Sequence, residues 1–453
     1  NSILAFLKLL IDLNIILIRI EMTVLMTVVF ILGYAAIVFE HNLKIDKAAA
    51  SLVTGVLCWT IFILGETEIA HVEHQLLSHL GEISSILFFL LGAMTIVELV
   101  DSHNGFSLIT NKISTKNKVT TLWIVCLMTF FFSAILDNLT TSIVMISLLR
   151  KLIKDQNTRW LFAGMVVISA NSGGAFSPIG DVTTTMLWIG GQISAGNVIT
   201  TLFIPSLVSL LAPLLYLSYA LKGDVERAEV DETPKSTLRK RDQMIILFSG
   251  VSGLIFVPVF KTITHLPPFM GMMLSLGSLW LITDILHRKK PSKFRNEIGV
   301  LGAFKKVDVA SVLFFLGILL AVASLQEGGQ LSDVAATLEE KFGTKSTTGI
   351  YIVGSLIGVF SAIVDNVPIV AAVMGMYDLA PDTFFAQDGL FWNFLAYCAG
   401  TGGSVLIIGS AAGVAVMGLE KIPFGWYIRK ISLLALLGYS CGIAAYVMQS
   451  WTI

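Results

Sequence analysis

Two aspartates stand in apolar sequence, where a charge is costly. Asp137 follows Phe132-Ser133-Ala134-Ile135-Leu136 and precedes Asn138-Leu139; Asp365 follows Phe360-Ser361-Ala362-Ile363-Val364 and precedes Asn366-Val367. The two octets match at an offset of 228 residues. A carboxylate near the centre of a membrane span costs ~2.5 to 3.5 kcal/mol, so it persists where it binds something or relays protons. Hard alkali cations prefer oxygen ligands, and such a tip offers a carboxylate, an Asn amide oxygen, hydroxyls and freed backbone carbonyls. A plainer role for either Asp is to cap the helix that follows it. One such Asp leaves the two roles level; a repeated pair favours binding.

A second pair of motifs lies downstream. Ala170-Asn171-Ser172-Gly173-Gly174-Ala175, with Ile179-Gly180-Asp181 beyond it, matches Ala399-Gly400-Thr401-Gly402-Gly403-Ser404, with Ile408-Gly409-Ser410 beyond it. Its offset is 229 residues, and two motifs in one order at nearly one offset mark an internal duplication. Asn138 and Asn366 read as ligands or as orienters of the carboxylates, although a hydrogen bond closing the tip explains them nearly as well. Ser172 and Thr401 could supply hydroxyl ligands, as could Thr183 and Thr184. Gly173, Gly174, Gly402 and Gly403 would permit a helix break and close backbone approach rather than touch an ion through a side chain. Asp181 matches Ser410 and so has no acidic counterpart; it reads either as a second proton-titrating group or as a cap on the half-helix that begins there.

The elements that position these residues follow from composition. The chain has 453 residues, 55% hydrophobic and 13% charged, with apolar runs of about 20 residues recurring from end to end. That predicts an all-α polytopic membrane protein. Clear spans fall near 23–40, 48–64, 83–100, 195–220, 243–258, 268–286, 309–324 and 424–448. Four other apolar stretches, 119–149, 160–191, 348–376 and 389–419, are interrupted by polar or glycine-rich sequence.

Loop charge assigns the sides. Segment 65–82 holds Glu66, Glu68, Glu73 and Glu82 without Lys or Arg and should lie outside. Segments 101–118, with Lys112, Lys116 and Lys118, and 150–159, with Arg150, Lys151, Lys154 and Arg159, should be cytoplasmic. The stretch 119–149 then starts and ends on one side, as a re-entrant helical hairpin with Asp137-Asn138 near its tip. Connection 377–388 has Asp378, Asp382 and Asp388 and no basic residue, so hairpin 348–376 enters from outside and the repeats are inverted. The organisation expected is an extra N-terminal helix over 1–22, a first inverted repeat over 23–220 with hairpin 119–149 and broken transmembrane helix 160–191, a cytoplasmic linker over 221–242, and a second inverted repeat over 243–453 with hairpin 348–376 and broken helix 389–419. Irregular backbone at membrane depth needs protein or a water-filled cavity to satisfy it, so tips and breaks should meet near the midplane.

Other classes fall away. A net charge of -1 with basic residues confined to loops argues against a nucleic-acid partner. Cys58, Cys126, Cys398 and Cys441 have no metal-ligand or redox spacing. Residues 2–20 carry Lys8, Asp12 and Arg19 with no cleavage pattern after them, as expected of a helix rather than a signal peptide. An intramembrane aspartyl protease would need Gly-x-Gly-Asp, whereas Ser177-Pro178-Ile179-Gly180 precedes Asp181. An anion carrier, for dicarboxylate or arsenite, is the alternative transporter, and tip carboxylates with no Arg or Lys near them disfavour it. Glu98 reads as a snorkelled residue at a span end, and His71, His74 and His79 as polar loop residues.

With these motifs the sequence resembles the NhaD-type sodium/proton antiporters of the ion transporter (arsenite permease/NhaD) superfamily, from about residue 23 onward. The resemblance implies a secondary transporter and not an enzyme. It exchanges Na+ or Li+ for H+, electrogenically or neutrally, by alternating access, with the ion at Asp137 and Asp365 and no cofactor. It further implies a part in pH homeostasis, a homodimer in lipid, a hairpin-bearing transport domain moving against a scaffold, and a place in a bacterial inner membrane.

Overall fold

Without water in a bilayer core, backbone amides must pair within their own segment, and this chain does so by forming helices. The computed structural model describes residues 2–106, 108, 115–226 and 238–451. Lys112, and residues 227–237 of the expected linker, lie outside the described residues. Among the described residues there is no strand, only one isolated bridge between Asn117 and Asp224.

Nine described helices are long and apolar enough to cross a membrane. They are α1 (Ser2–Val38, apolar from Arg19), α2 (Lys47–Gly65), α3 (Ile69–Ser102), α4 (Lys118–Leu136), α8 (Ala195–Ala220), α9 (Lys240–Thr264), α10 (Pro268–His287), α11 (Val309–Glu327) and α17 (Phe424–Ser450). Shorter helices fill the interrupted stretches: α5 (Asn138–Leu152), α6 (Gln156–Ala175), α7 (Val182–Ile189), α13 (Thr347–Ser361), α14 (Asn366–Met376), α15 (Leu390–Gly402) and α16 (Ala411–Glu420). The amphipathic α12 (Gln330–Phe342) follows α11. Residues 2–22 and the first span run as one helix, α1, because Ile20-Glu21-Met22-Thr23 offers neither Gly nor Pro to stop it. Helix starts carry side-chain caps: Asp46 accepts from Ala48 N at 2.8 Å, Asn117 from Thr120 N at 3.0 Å and Asp308 from Ser311 N at 3.1 Å.

The chain forms two compact units. One comprises Asn1–Leu87, Asp308–Gly343 and Ala371–Asp378. In it α2 packs along α11, where Gly55 and Gly317 let the backbones approach and Trp59 Nε1 donates to Leu320 O at 2.8 Å. His79 meets the Glu327 carboxylate at 2.7 Å, so it is paired rather than a loose loop residue. The other unit comprises Phe88–Val307, Thr344–Val370 and Leu379–Ile453, and it holds both sets of repeated motifs. Within it Glu98 pairs with Lys306 at 3.0 Å, in keeping with a residue at a span end.

Helices α4 and α5 fold back on each other. Lys118 N bonds Gly223 O, Val225 N bonds Lys116 O, and Lys154 N bonds Glu226 O, at 3.1, 2.7 and 2.8 Å. Residues 223–226 reach ~10 Å at most, whereas one straight helix over 118–152 would part its ends by ~50 Å. The start of α4 and the end of α5 therefore share one side.

Candidate functional site

Asp137 is the single residue between α4 and α5, the C-cap of one and the N-cap of the other. Its φ of +78 is one that residues other than Gly seldom take. Two hydrogen bonds hold it there, from Thr140 N to Oδ1 and from Thr140 Oγ1 to Oδ2, both 2.8 Å. The second tip is looser: α13 stops at Ser361, α14 begins at Asn366, and Asp365 Oδ1 accepts from Val367 N at 3.3 Å. Both aspartates thus do cap the second arm, and each cap bond leaves the carboxylate with further acceptor capacity.

The breaks in the other two stretches follow one design. Ser133 Oγ donates to Ala170 O at 2.6 Å, and its counterpart Ser361 Oγ to Ala399 O at 2.9 Å. A Cβ on Gly173 would lie on the carbonyl oxygen of Phe130, and one on Gly402 on that of Gly358, so each break needs glycine where the hairpin arm crosses it. Beyond the breaks, Asp181 caps α7 through Thr183 N at 3.3 Å, and Ser410 caps α16 through Gly413 N at 3.2 Å.

Four segments converge through buried amides. Asn138 Nδ2 donates to Asn171 Oδ1 at 3.0 Å, and Asn171 Nδ2 reaches Ser404 Oγ and Ser410 Oγ, both at 2.9 Å. Asn366 Nδ2 donates to Asp181 Oδ2 at 3.2 Å. The first tip is thereby joined to the second break through Asn171, and the second tip to the first break directly. Asp181 thus lies close enough to both tips for the charges of Asp365 and Asp137 to reach it. Asp137 and Asp181 form no salt bridge among the described residues.

The two halves depart from each other in a complementary way. Asn171 matches Gly400, and Asp181 matches Ser410. A Cβ at Gly400 would stand 3.1 Å from Ala175 Cβ and 3.4 Å from Asp181 Oδ2, so the small residue makes room for the carboxylate. Across the site, Asn171 faces the small Ser410.

Of the remaining candidates, Ser172 and Thr401 are used elsewhere, whereas Thr183 and Thr184 stay with Asp181. Ser172 Oγ pairs with Ser209 Oγ of α8 at 2.9 Å, and Thr401 Oγ1 donates to Tyr397 O at 2.6 Å within its own helix. Thr184 Oγ1 donates to Asp181 O at 2.9 Å, and Thr183 lends Asp181 its backbone N–H. Asn171 is the residue that sequence reasoning passed over. Its equivalent is glycine, so comparing the repeats hides it; an amide within an apolar run was the available signal.

The citrate transporter family, CitMHS, matches residues 15–395. Sodium/proton antiporter 1 of Arabidopsis thaliana is 49% identical over 430 residues, which cover 94% of this chain and 72% of that protein. Sodium/proton antiporter 2 of the same plant is 44% identical, over 93% of this chain and 98% of its own length. The Na(+)/H(+) antiporter NhaD of Vibrio cholerae is 30% identical, over 94% and 92%. Among solved structures, the YdaH transporter of Alcanivorax borkumensis, reported with an unusual topology, aligns over 95% of this chain and 99% of its own at a TM-score of 0.53 and 14% identity. That last likeness concerns the fold.

Proposed function

We propose that this chain, which belongs to the citrate-transporter (CitMHS) family and stands within it beside the NhaD sodium/proton antiporters, is an integral membrane antiporter exchanging Na+ or Li+ for H+. The observation that carries this reading is the convergence of Asp137, Asp181 and Asp365 with the amides of Asn138, Asn171 and Asn366, in a region that offers oxygen ligands and no basic side chain. No Lys or Arg occurs within ten residues of either tip or either break in the sequence. Citrate or another polyanion would meet repulsion there with nothing to offset it, although the family takes its description from citrate. The relatives are named as transporters, so no catalytic chemistry is asked of the carboxylates.

Asp137 and Asp365 bind the ion, with Asn138 and Asn366 as ligands or orienters and Asp181 completing the charge. Ser172 and Thr401 serve the helices that carry the site. One set of carboxylates takes either a cation or protons, and the helix breaks let the site open to one face at a time, which is alternating access. No cofactor is needed beyond the transported ions, and the homodimer implied by the resemblance belongs to the same proposal.

The test is exchange in proteoliposomes with a trapped pH dye, on addition of Na+, Li+ or K+. Na+ and Li+ should collapse a preset pH gradient, and Asp137→Asn and Asp365→Asn should each abolish the response while the protein still inserts and elutes as a single species. Full exchange by both variants would overturn the assignment.

A further inference from the structure

A cavity of about 240 Å³ lies away from the tips, in the same unit, between the N-terminal turns of α8 and α15 and the C-terminal turn of α17. Its polar wall is made by Asn197, Thr201, Asp388, Asn393, Gln449 and Ser450. It contains one carboxylate and no basic side chain. Connection 377–388, which Asp388 closes, carries three acids and no Lys or Arg, so loop charge puts this cavity at the outer face.

Asn393 supplies the observation that points to a ligand. It is 98% buried, and its Nδ2 is spent on Asp388 O at 2.8 Å and Gly389 O at 3.3 Å. Those bonds fix the amide orientation and leave Oδ1, a buried acceptor, with no donor. An acceptor stranded in this way is unfavourable, and natural structures seldom leave one so without a water or an ion. Asp388 is just as firmly placed. Its φ is +62, its N bonds Gln192 O at 2.8 Å, and its Oδ1 takes Ser194 N at 2.6 Å, which leaves the carboxylate with further acceptor capacity at Oδ2.

We propose that this cavity is an outer cation site, in which Asp388 and Asn393 Oδ1, with the neighbouring amides and hydroxyls, hold a partly hydrated alkali cation. One carboxylate balances one positive charge, whereas a divalent ion ordinarily gathers more acidic ligands. The volume far exceeds the ~10 to 15 Å³ that a single water needs, which leaves room for an ion that keeps part of its hydration shell. The choice of Na+ or Li+ as the occupant rests on the exchange reading above; the placement of Asp388 and Asn393 in one cavity does not. At the outer face, the site would raise the local concentration of the ion that the tips take up.

Equilibrium binding of ²²Na+ to the purified protein tests it by stoichiometry. Asp388→Asn keeps an acceptor for Ser194 N and tolerates the positive φ, so the fold and exchange should persist while one bound ion per chain is lost. The Asp137→Asn/Asp365→Asn double variant should lack exchange yet keep the ion that depends on Asp388. Equal stoichiometry in wild type and Asp388→Asn would mean that the cavity holds water only and would overturn the proposal. That result would not touch the exchange reading, which stands or falls with the double variant's loss of exchange.

Discussion

Asp137 serves both as a cap and as a charge in one side chain, and substitutions can separate the two. Asparagine at 137 keeps an oxygen for Thr140 N and tolerates a φ of +78, so Asp137→Asn should melt in detergent close to wild type. Asp137→Ala loses the cap as well, at about 1 kcal/mol, and should melt lower, with exchange absent in both. Asp181 can be separated in the same way because its counterpart is Ser410. Asp181→Ser retains a cap for α7 and removes the carboxylate that receives Asn366. A hydrogen bond to a charged acceptor is worth ~1.5 to 3 kcal/mol, so initial exchange rates should fall by roughly tenfold to a hundredfold. Unchanged rates would reduce Asp181 to a cap. The sequence made Asp137 and Asp365 legible through repetition, and left Asp181 with two readings because nothing acidic matched it. Packing explains why: at Gly400 the absence of a side chain gives the Asp181 carboxylate its room.

At the scale of elements, the breaks depend on backbone contact more than on polarity. A methyl at Gly173 or Gly402 meets a carbonyl oxygen of a crossing helix, which cannot swing aside as the end of a flexible side chain can. Gly173→Ala and Gly402→Ala should each cost about 1 to 3 kcal/mol or more and depress the yield of folded protein alike, since the two contacts are equivalent. Gly418→Ala in α16 is the control. Nothing lies within 4 Å of its Cβ position, and alanine is the better helix former, so melting should hold or rise slightly. The glycines were expected to permit a break and a close approach; α6 stays helical through Gly173 and Gly174 to Ala175, and which carbonyl each glycine accommodates was not legible, because that depends on contacts some 43 residues away in sequence. The return of 119–149 was legible from Lys116, Lys118, Arg150 and Lys154 at its ends, and backbone bonds from 116–118 and 154 to residues 223–226 describe the same return. Glu420, which ends α16, escaped notice altogether. Its carboxylate is held at 2.7 Å by both Arg150 and Arg159, binding the exit of one hairpin and the start of α6 to the half-helix whose other end carries Ser410. Long-range ion pairs of this kind leave no local pattern to find.

For the molecule as a whole, exchange requires that cation and proton exclude one another. All three carboxylates lie in one compact unit, with Asp181 joined to the second tip through Asn366, so one site can enforce that exclusion without a separate gate. A protonated carboxyl holds sodium poorly, and a bound cation favours the charged form, so each species displaces the other from whichever face is open. The sign follows directly. Below the pKa of the competing group, each unit rise in pH should strengthen apparent sodium affinity by about tenfold if one proton is displaced, and by about a hundredfold if two are; above it the affinity should level off. The slope therefore also counts protons. One proton per sodium makes the cycle electrically neutral, whereas two move net charge and make exchange respond to membrane potential. Half-saturating sodium, measured at several pH values in proteoliposomes with and without a potassium diffusion potential, gives both answers from one preparation. A steep slope with potential-sensitive rates would mean that two of the three carboxylates titrate in the cycle. A unit slope insensitive to potential would leave one. Sodium affinity independent of pH across the active range would rule out competition and require separate proton and cation sites.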